Sequence, residues 1–177
     1  MLKTPFQKPF PKLGDPRKFA QQGISLQGFV PLDALARLAE AVQKPSGTVE
    51  VDLAFGINEE GKKVVTGHAA SDLTLVCQRC LEPVAVSVES NISLGIVWDE
   101  EMAAKLPEYL DPWIVGEGAA DLFEMIEDEM LLNLPAVAYH EVLCIDKSLF
   151  TSGKPVEVKQ ERNPFQVLEQ LKGSPNK

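Results

Sequence analysis

Three cysteines and two histidines make up the soft-metal and nucleophilic inventory of this 177-residue chain. Four of these five residues fall into two short motifs. Cys77-Gln78-Arg79-Cys80 is a C-x2-C knuckle, and His140 and Cys144 place an imidazole and a thiol four positions apart. Thiolate and imidazole are the ligands of a tetrahedral zinc site, and C-x2-C spacing lets two sulfurs of one turn reach one ion. Cys77, Cys80, His140 and Cys144 are therefore the candidate metal set. Four protein ligands would close the shell and leave no position for a catalytic water, so the implied zinc is structural. Two other readings of the knuckle compete: a pair of packed small residues, or a redox dithiol. A redox pair belongs at a strand-to-helix junction, where the helix N-terminus lowers a thiol pKa, whereas this knuckle reads as a β-turn. His68, between Gly67 and Ala69 in a strand, reads as a surface or internally satisfied polar group.

The elements that must position these ligands follow from hydrophobic period. Val49, Val51, Leu53, Phe55 and Ile57 alternate strictly, as a half-buried strand does. Asn58-Glu59-Glu60-Gly61 reads as a hairpin turn, and Leu73, Leu75 and Cys77 carry the alternation up to the knuckle. Val84, Val86 and Val88 return on its far side, and Ile92, Leu94 and Ile96 extend that strand. With a strand over residues 25–30, this makes an antiparallel meander of about four strands with the cysteines at one turn. A helix is expected over 31–43, opened by Pro31 and carrying Leu32, Leu35, Leu38 and Val42 on one face. A second is expected over 121–133, with Asp121 as N-cap and acids near its positive end. The expected fold is α+β, an antiparallel sheet from 24–98 covered by these helices. Pro5, Pro9, Pro11 and Pro16 make residues 1–22 read as an extended basic arm. The core then spans 23–146, followed by a polar linker over 147–162 and a short helix with its tail over 163–177.

Composition bounds the function classes. The chain is 45% apolar, enough for one globular core, and its apolar runs are too short to span a bilayer. The start has no apolar signal region, and an odd cysteine count argues for reduced thiols, so the expected location is cytoplasmic. The formal charge of −9 is segregated. Residues 1–20 hold five basic side chains against Asp15, and residues 147–177 hold six against three acids. Residues 99–129 hold eleven acids against Lys105 alone. The middle would repel a phosphate backbone while the ends could contact one. Neither a Gly-rich phosphate loop nor a nucleophile elbow is present, and the carboxylates of Glu124, Glu127, Asp128 and Glu129 read as a helix start. The reading is therefore non-enzymatic.

Four pieces in order carry a family resemblance: Cys77-Gln78-Arg79-Cys80-Leu81-Glu82-Pro83; the stretch from Asp121-Leu122 to Leu132-Asn133-Leu134-Pro135; His140 with Cys144; and Asn163-Pro164-Phe165-Gln166-Val167-Leu168. Together they resemble the bacterial YceD family, the large ribosomal RNA subunit accumulation proteins, which have plant-organelle relatives. Some relatives carry a second C-x2-C where this chain has His140 and Cys144. The resemblance implies a non-catalytic role in the synthesis, processing or stability of large-subunit (23S) rRNA. Members are often encoded beside a large-subunit ribosomal protein. The implied partner is large-subunit rRNA or its precursor, reached directly or through a ribosomal or processing protein. Direct contact would draw on Lys3, Lys8, Lys12, Arg17, Lys18 and Arg79. Two alternatives differ in class: an adaptor whose acidic 99–129 face docks a basic protein, and a zinc-dependent RNA hydrolase.

Overall fold

The alternation over residues 49–55 becomes burial in the computed structural model of the chain. Val49, Val51, Leu53 and Phe55 are all within 3% of complete burial, on one face of a strand. The structure describes residues 8–146 and Ser148. The chain divides into two units, residues 1–144 and 145–177. The 147–162 linker and the 163–177 helix expected from the sequence lie outside the described residues, Ser148 apart.

In chain order, the first unit contains β1 (Leu13–Gly14), α1 (Pro16–Gln22), β2 (Ser25–Pro31), α2 (Ala36–Ala41) and β3 (Thr48–Ile57). There follow β4 (Lys63–Val76), β5 (Pro83–Val97), α3 (Glu100–Ala103), β6 (Asp111–Ile114), β7 (Ala120–Asp121) and α4 (Leu122–Leu132). The sheet order is β2-β3-β4-β5-β6, and its first four strands form the expected antiparallel meander. The α+β reading holds. One strand departs from it: β6 lies parallel to β5, Leu94 opposite Asp111 and Val97 opposite Ile114. α3 and its flanking residues provide the crossover that a parallel neighbour requires.

Strands β4 and β5 outrun the rest of the sheet. Strand β3 pairs with β4 only from Lys63 to Ala70, whereas β4 and β5 stay paired to Val76 and Pro83. The end of this ribbon carries the knuckle. Along its apolar face Leu73, Leu75 and Val84 are buried, as is Cys77 at the tip. Helix α4 covers β4 and β5 with Leu122, Met125, Ile126 and Met130, and α1 packs Phe19 edge-on against Phe55 at 5.4 Å. Asp121 caps α4 through the N–H groups of Phe123 and Glu124, at 2.9 and 3.3 Å. This is the N-cap expected from the sequence.

Two expected elements are corrected. The helix over 31–43 is a 3-10 turn at Leu32–Ala34 followed by the short α2, with Leu35 out of helical geometry between them. Leu35 has no side chain that can cap α2, so Glu127 of α4 supplies the cap from across the core. Its Oε1 accepts the N–H groups of Arg37 at 2.7 Å and Leu38 at 3.1 Å, and Oε2 meets Arg37 Nε at 2.9 Å. The extended arm over 1–22 is also corrected for its described residues. Phe29 donates to the Lys8 carbonyl and Phe10 to that of Phe29, and Phe10 is 3% exposed. A Cβ on Gly28 would lie 2.8 Å from the Lys8 carbonyl oxygen, so this crossing needs glycine. β1 pairs with β7, and Asp15 caps α1 with Pro16 at its first turn. Proline started a helix here, where its missing N–H costs nothing.

Replacing Glu127 with alanine would orphan the buried Leu38 N–H and that of Arg37. An unsatisfied buried donor costs about 1–3 kcal/mol. We expect Glu127→Ala to lower the urea midpoint by an equivalent of roughly 2–4 kcal/mol at unchanged m-value. Glu127→Gln, which keeps one acceptor, should lose less.

Candidate metal centre

The β4–β5 turn folds around its first cysteine. The Cys77 N–H donates to the Glu82 carbonyl and the Leu81 N–H to that of Cys77, both at 2.9 Å. Leu81 closes the turn at φ 63°, a left-handed conformation that costs a non-glycine residue about 1–2 kcal/mol. From the other side, residues 133–144 leave α4 and return to the knuckle. Gln78 donates its N–H to the Ala138 carbonyl at 2.9 Å, which docks this loop on the turn. Arg79 fastens it again, with Nη2 directed at the carbonyls of His140 and Val142 and the guanidinium 5.1 Å from the Tyr139 ring centre.

The result brings the four sequence-predicted ligands together. One donor atom from each of Cys77, Cys80, His140 and Cys144 lies within 4.8 Å of the other three. Cys77 and Cys144 sulfurs are 3.7 Å apart, and Cys80 Sγ is 3.4 Å from His140 Nδ1. For a tetrahedral ion with metal–sulfur bonds of about 2.3 Å, the sulfur–sulfur edge is about 3.8 Å. The spacing and donor chemistry fit a soft ion. His140 Nε2 lies 3.1 Å from the Pro83 carbonyl. A carbonyl only accepts, so Nε2 is the nitrogen that carries a proton, which leaves Nδ1 as the one placed to ligate an ion among the sulfurs. Cys77 is fully buried and the other three are half-buried, and all three cysteines are free thiols.

Electrostatics favour a thiolate at the centre. Burial pushes the Cys77 thiol up, but the N–H groups of Cys80, Arg79 and His140 outweigh it and lower the group to about 5. Burial raises Cys144, and the adjacent Cys80 and Cys77 push the same way against the Arg79 charge. Sulfurs this close resist joint ionisation unless a cation stands among them.

The described residues among those expected to meet RNA stand in different settings. Lys3 lies outside the described residues. Lys8 is exposed; Lys12 and Lys18 are exposed and pair with Asp121 at 3.6 Å and Asp15 at 3.2 Å. Arg17 is a correction, because it is 7% exposed and spends its Nη groups on the carbonyls of Gly116 and Val115. It cannot be a phosphate contact on a free arm. Arg79 directs its guanidinium at the ligand loop. His68 is internally satisfied, with Nδ1 3.0 Å from the Ser90 carbonyl.

Comparison with known proteins decides the family. Residues 65–172 match the family described as Large ribosomal RNA subunit accumulation protein YceD. The chain belongs to the YceD family. It is 33% identical over 163 residues to the Large ribosomal RNA subunit accumulation protein YceD of Haemophilus influenzae, covering 89% of this chain and 93% of that protein. No solved structure gives a significant match. The family match spans the knuckle, the ligand loop and α4, so the metal set lies wholly within it.

The left-handed backbone at Leu81 gives a test of the turn. Leu81 is 70% exposed, so substitutions there report backbone strain more than packing. Leu81→Gly should be neutral or stabilising by up to about 1 kcal/mol, its relief of strain offset by unfolded-state entropy. Leu81→Val, β-branched in the same conformation, should cost about 1–2 kcal/mol in denaturant titration.

Proposed function

We propose that the chain is a non-catalytic ribosome-biogenesis factor that promotes accumulation of large-subunit rRNA, and that its four-ligand cluster holds structural zinc. Family membership carries the first half, and convergence of Cys77, Cys80, His140 and Cys144 carries the second. With three thiolates and a neutral imidazole, a Zn²⁺ site would carry a net charge of −1 (−3 + 2), and the Arg79 guanidinium lies beside it. The ion would tie the β4–β5 turn to the loop after α4, joining segments about 60 positions apart in sequence. A ligand-saturated ion of this kind braces a surface and holds no substrate. Which step of rRNA maturation it serves follows from whichever precursor accumulates in its absence.

Protein purified without chelator should contain about one zinc per chain, and Cys77→Ser with Cys80→Ser should contain almost none. Chelation should lower the unfolding midpoint of the native chain and leave the double variant unmoved. In a strain lacking the gene, mature 23S rRNA should fall relative to 16S and recover with the wild-type chain. Normal 23S levels in that strain would remove the biogenesis reading. Metal-free native protein would remove the zinc.

The adaptor is the second reading, favoured by a cleft of about 730 Å³ between β5, β6 and α4. Leu94, Trp113 and Met125 give it an apolar wall, and Asp111, Asp128 and Glu129 line it with no basic residue. Such a site suits a lysine or arginine stem ending in charge. Burial raises the Glu129 carboxyl, the Ser90 hydroxyl opposes that rise, and the charges of Asp111 and Asp128 add to it. The folded state therefore holds this proton more tightly than the unfolded chain. Its stabilising contribution is complete in acid and is lost as pH rises through the raised pKa. Glu129→Gln should accordingly be more stable than wild type at neutral pH, by thermal melts, with the gap closing below the ordinary carboxylate range.

A further inference from the structure

We propose that a second site, the cavity bounded by Arg17, Lys62, Lys63 and Trp98, binds one unpaired nucleotide of a single-stranded RNA segment. This deepens the rRNA reading above and rests on it. The cavity has a volume of about 250 Å³, and Ile96 and Met102 contribute apolar wall. That is smaller than the several hundred Å³ typical of sites for drug-sized ligands, and gives room for a single base.

Arg17 is the first observation. The side chain is 7% exposed, yet its partners are two neutral carbonyls and the Trp98 ring, whose centre lies 3.2 Å from the guanidinium carbon. Its Nε–H has no acceptor, and no carboxylate pairs with it among the described residues. Buried charges are ordinarily paired, because desolvating an ion without a counter-charge is costly. The counter-charge is missing here, and the cavity adjoins it.

Lys62 and Lys63 are the second observation. Both are half-buried in the cavity wall, and neither ammonium has an ion-pair partner among the described residues. Three cations and no acid line this cavity in a chain whose formal charge is −9. Trp98 supplies the rest. Arg17 covers one face of the indole, and the side chain is still 47% exposed, leaving surface on which a base can stack. Aromatic stacking beside backbone-neutralising cations is the common means of holding single strands. Arg17 acts as a positioning residue that fixes the indole and charges the wall, while Lys62 and Lys63 meet phosphate. Glu59, Glu60, Asp99, Glu100 and Glu101 flank these residues in sequence, and their charge disfavours a long duplex track.

The test uses the full chain carrying Trp113→Phe, which leaves Trp98 as its only tryptophan. Short single-stranded RNA, a duplex of the same sequence and inorganic phosphate are titrated while Trp98 fluorescence is read. Single-stranded RNA should quench Trp98 saturably, duplex should do so much more weakly, and phosphate should not. Lys62→Gln with Lys63→Gln should weaken binding about tenfold at low salt. It should also reduce the slope of log affinity against log salt by about 1.4, two phosphate contacts at ~0.7 each. By the anisotropy of end-labelled single-stranded RNA, which needs no tryptophan, Trp98→Phe should bind better than Trp98→Ala, and denaturation midpoints establish that each variant is folded. Absent quenching, equal quenching by duplex or phosphate, or a lysine variant with wild-type affinity and salt slope would overturn the pocket. Complementation separates that failure from failure of the parent reading. Recovery of 23S rRNA by the wild-type gene keeps the biogenesis role even where the pocket fails.

Discussion

A two-stranded ribbon that extends past its sheet must find cover for the apolar side chains on its face. Strands β4 and β5 meet this demand over Leu73, Leu75 and Val84, with Cys77 at the tip. The cover is α4 and the loop that follows it, whose Ala138, Leu134 and Cys144 join the same apolar cluster. Burial at about 25 cal/mol per Å² is non-directional, so it brings the loop to the ribbon without fixing its register. Register comes from directional contacts, Gln78 to the Ala138 carbonyl and Arg79 to those of His140 and Val142. The same contacts that dock the loop set His140 and Cys144 beside the knuckle. Hydrophobic cover and ligand convergence are thus one geometry, and a metal would lock an arrangement that packing has already assembled.

Much of this was legible in the chain because it is written in short-range period. The alternation from Val49 to Phe55, the Asn58-Gly61 turn and the Asp121 cap are local signals and each appears where the sequence places it, whereas Ile57, the last residue of that period, is exposed at the strand end. The four ligands were legible as a set because soft donors are few here. What could not be read depends on partners far along the chain. Leu35 leaves helical geometry where a carboxylate 90 positions from Arg37 caps the next turn. The prolines of the N-terminus argued for an extended arm. Phe10 and the Asp15-Pro16 pair were the opposing signals, one for burial and one for a helix start. The parallel placement of β6 has no local signature at all. Lys62 and Lys63 beside a turn read as solvated surface in the sequence, and only the fold closes a cavity around them and Trp98.

The charge segregation also changes meaning once the partners are known. Eleven acids in residues 99–129 read from the sequence as one repulsive face. Several of them are occupied in holding the fold. Asp99 and Asp121 cap α3 and α4, Glu127 caps α2, Asp128 pairs with Arg37 at 2.7 Å, and Glu129 accepts from the buried Ser90. Arg37 is half-exposed, so its pairs contribute modestly through charge. The buried Glu127 contributes through the backbone donors it satisfies. On the basic side the sorting runs the other way. Lys12 and Lys18 have carboxylate partners, while Lys62, Lys63 and the buried Arg17 have none among the described residues. Net charge therefore describes this surface poorly. Several of its acids cap helices or hold pairs, and only Glu127 among the described acids is buried. Three cations without an acid partner among the described residues lie beside an exposed indole, so local charge and net charge differ in sign there.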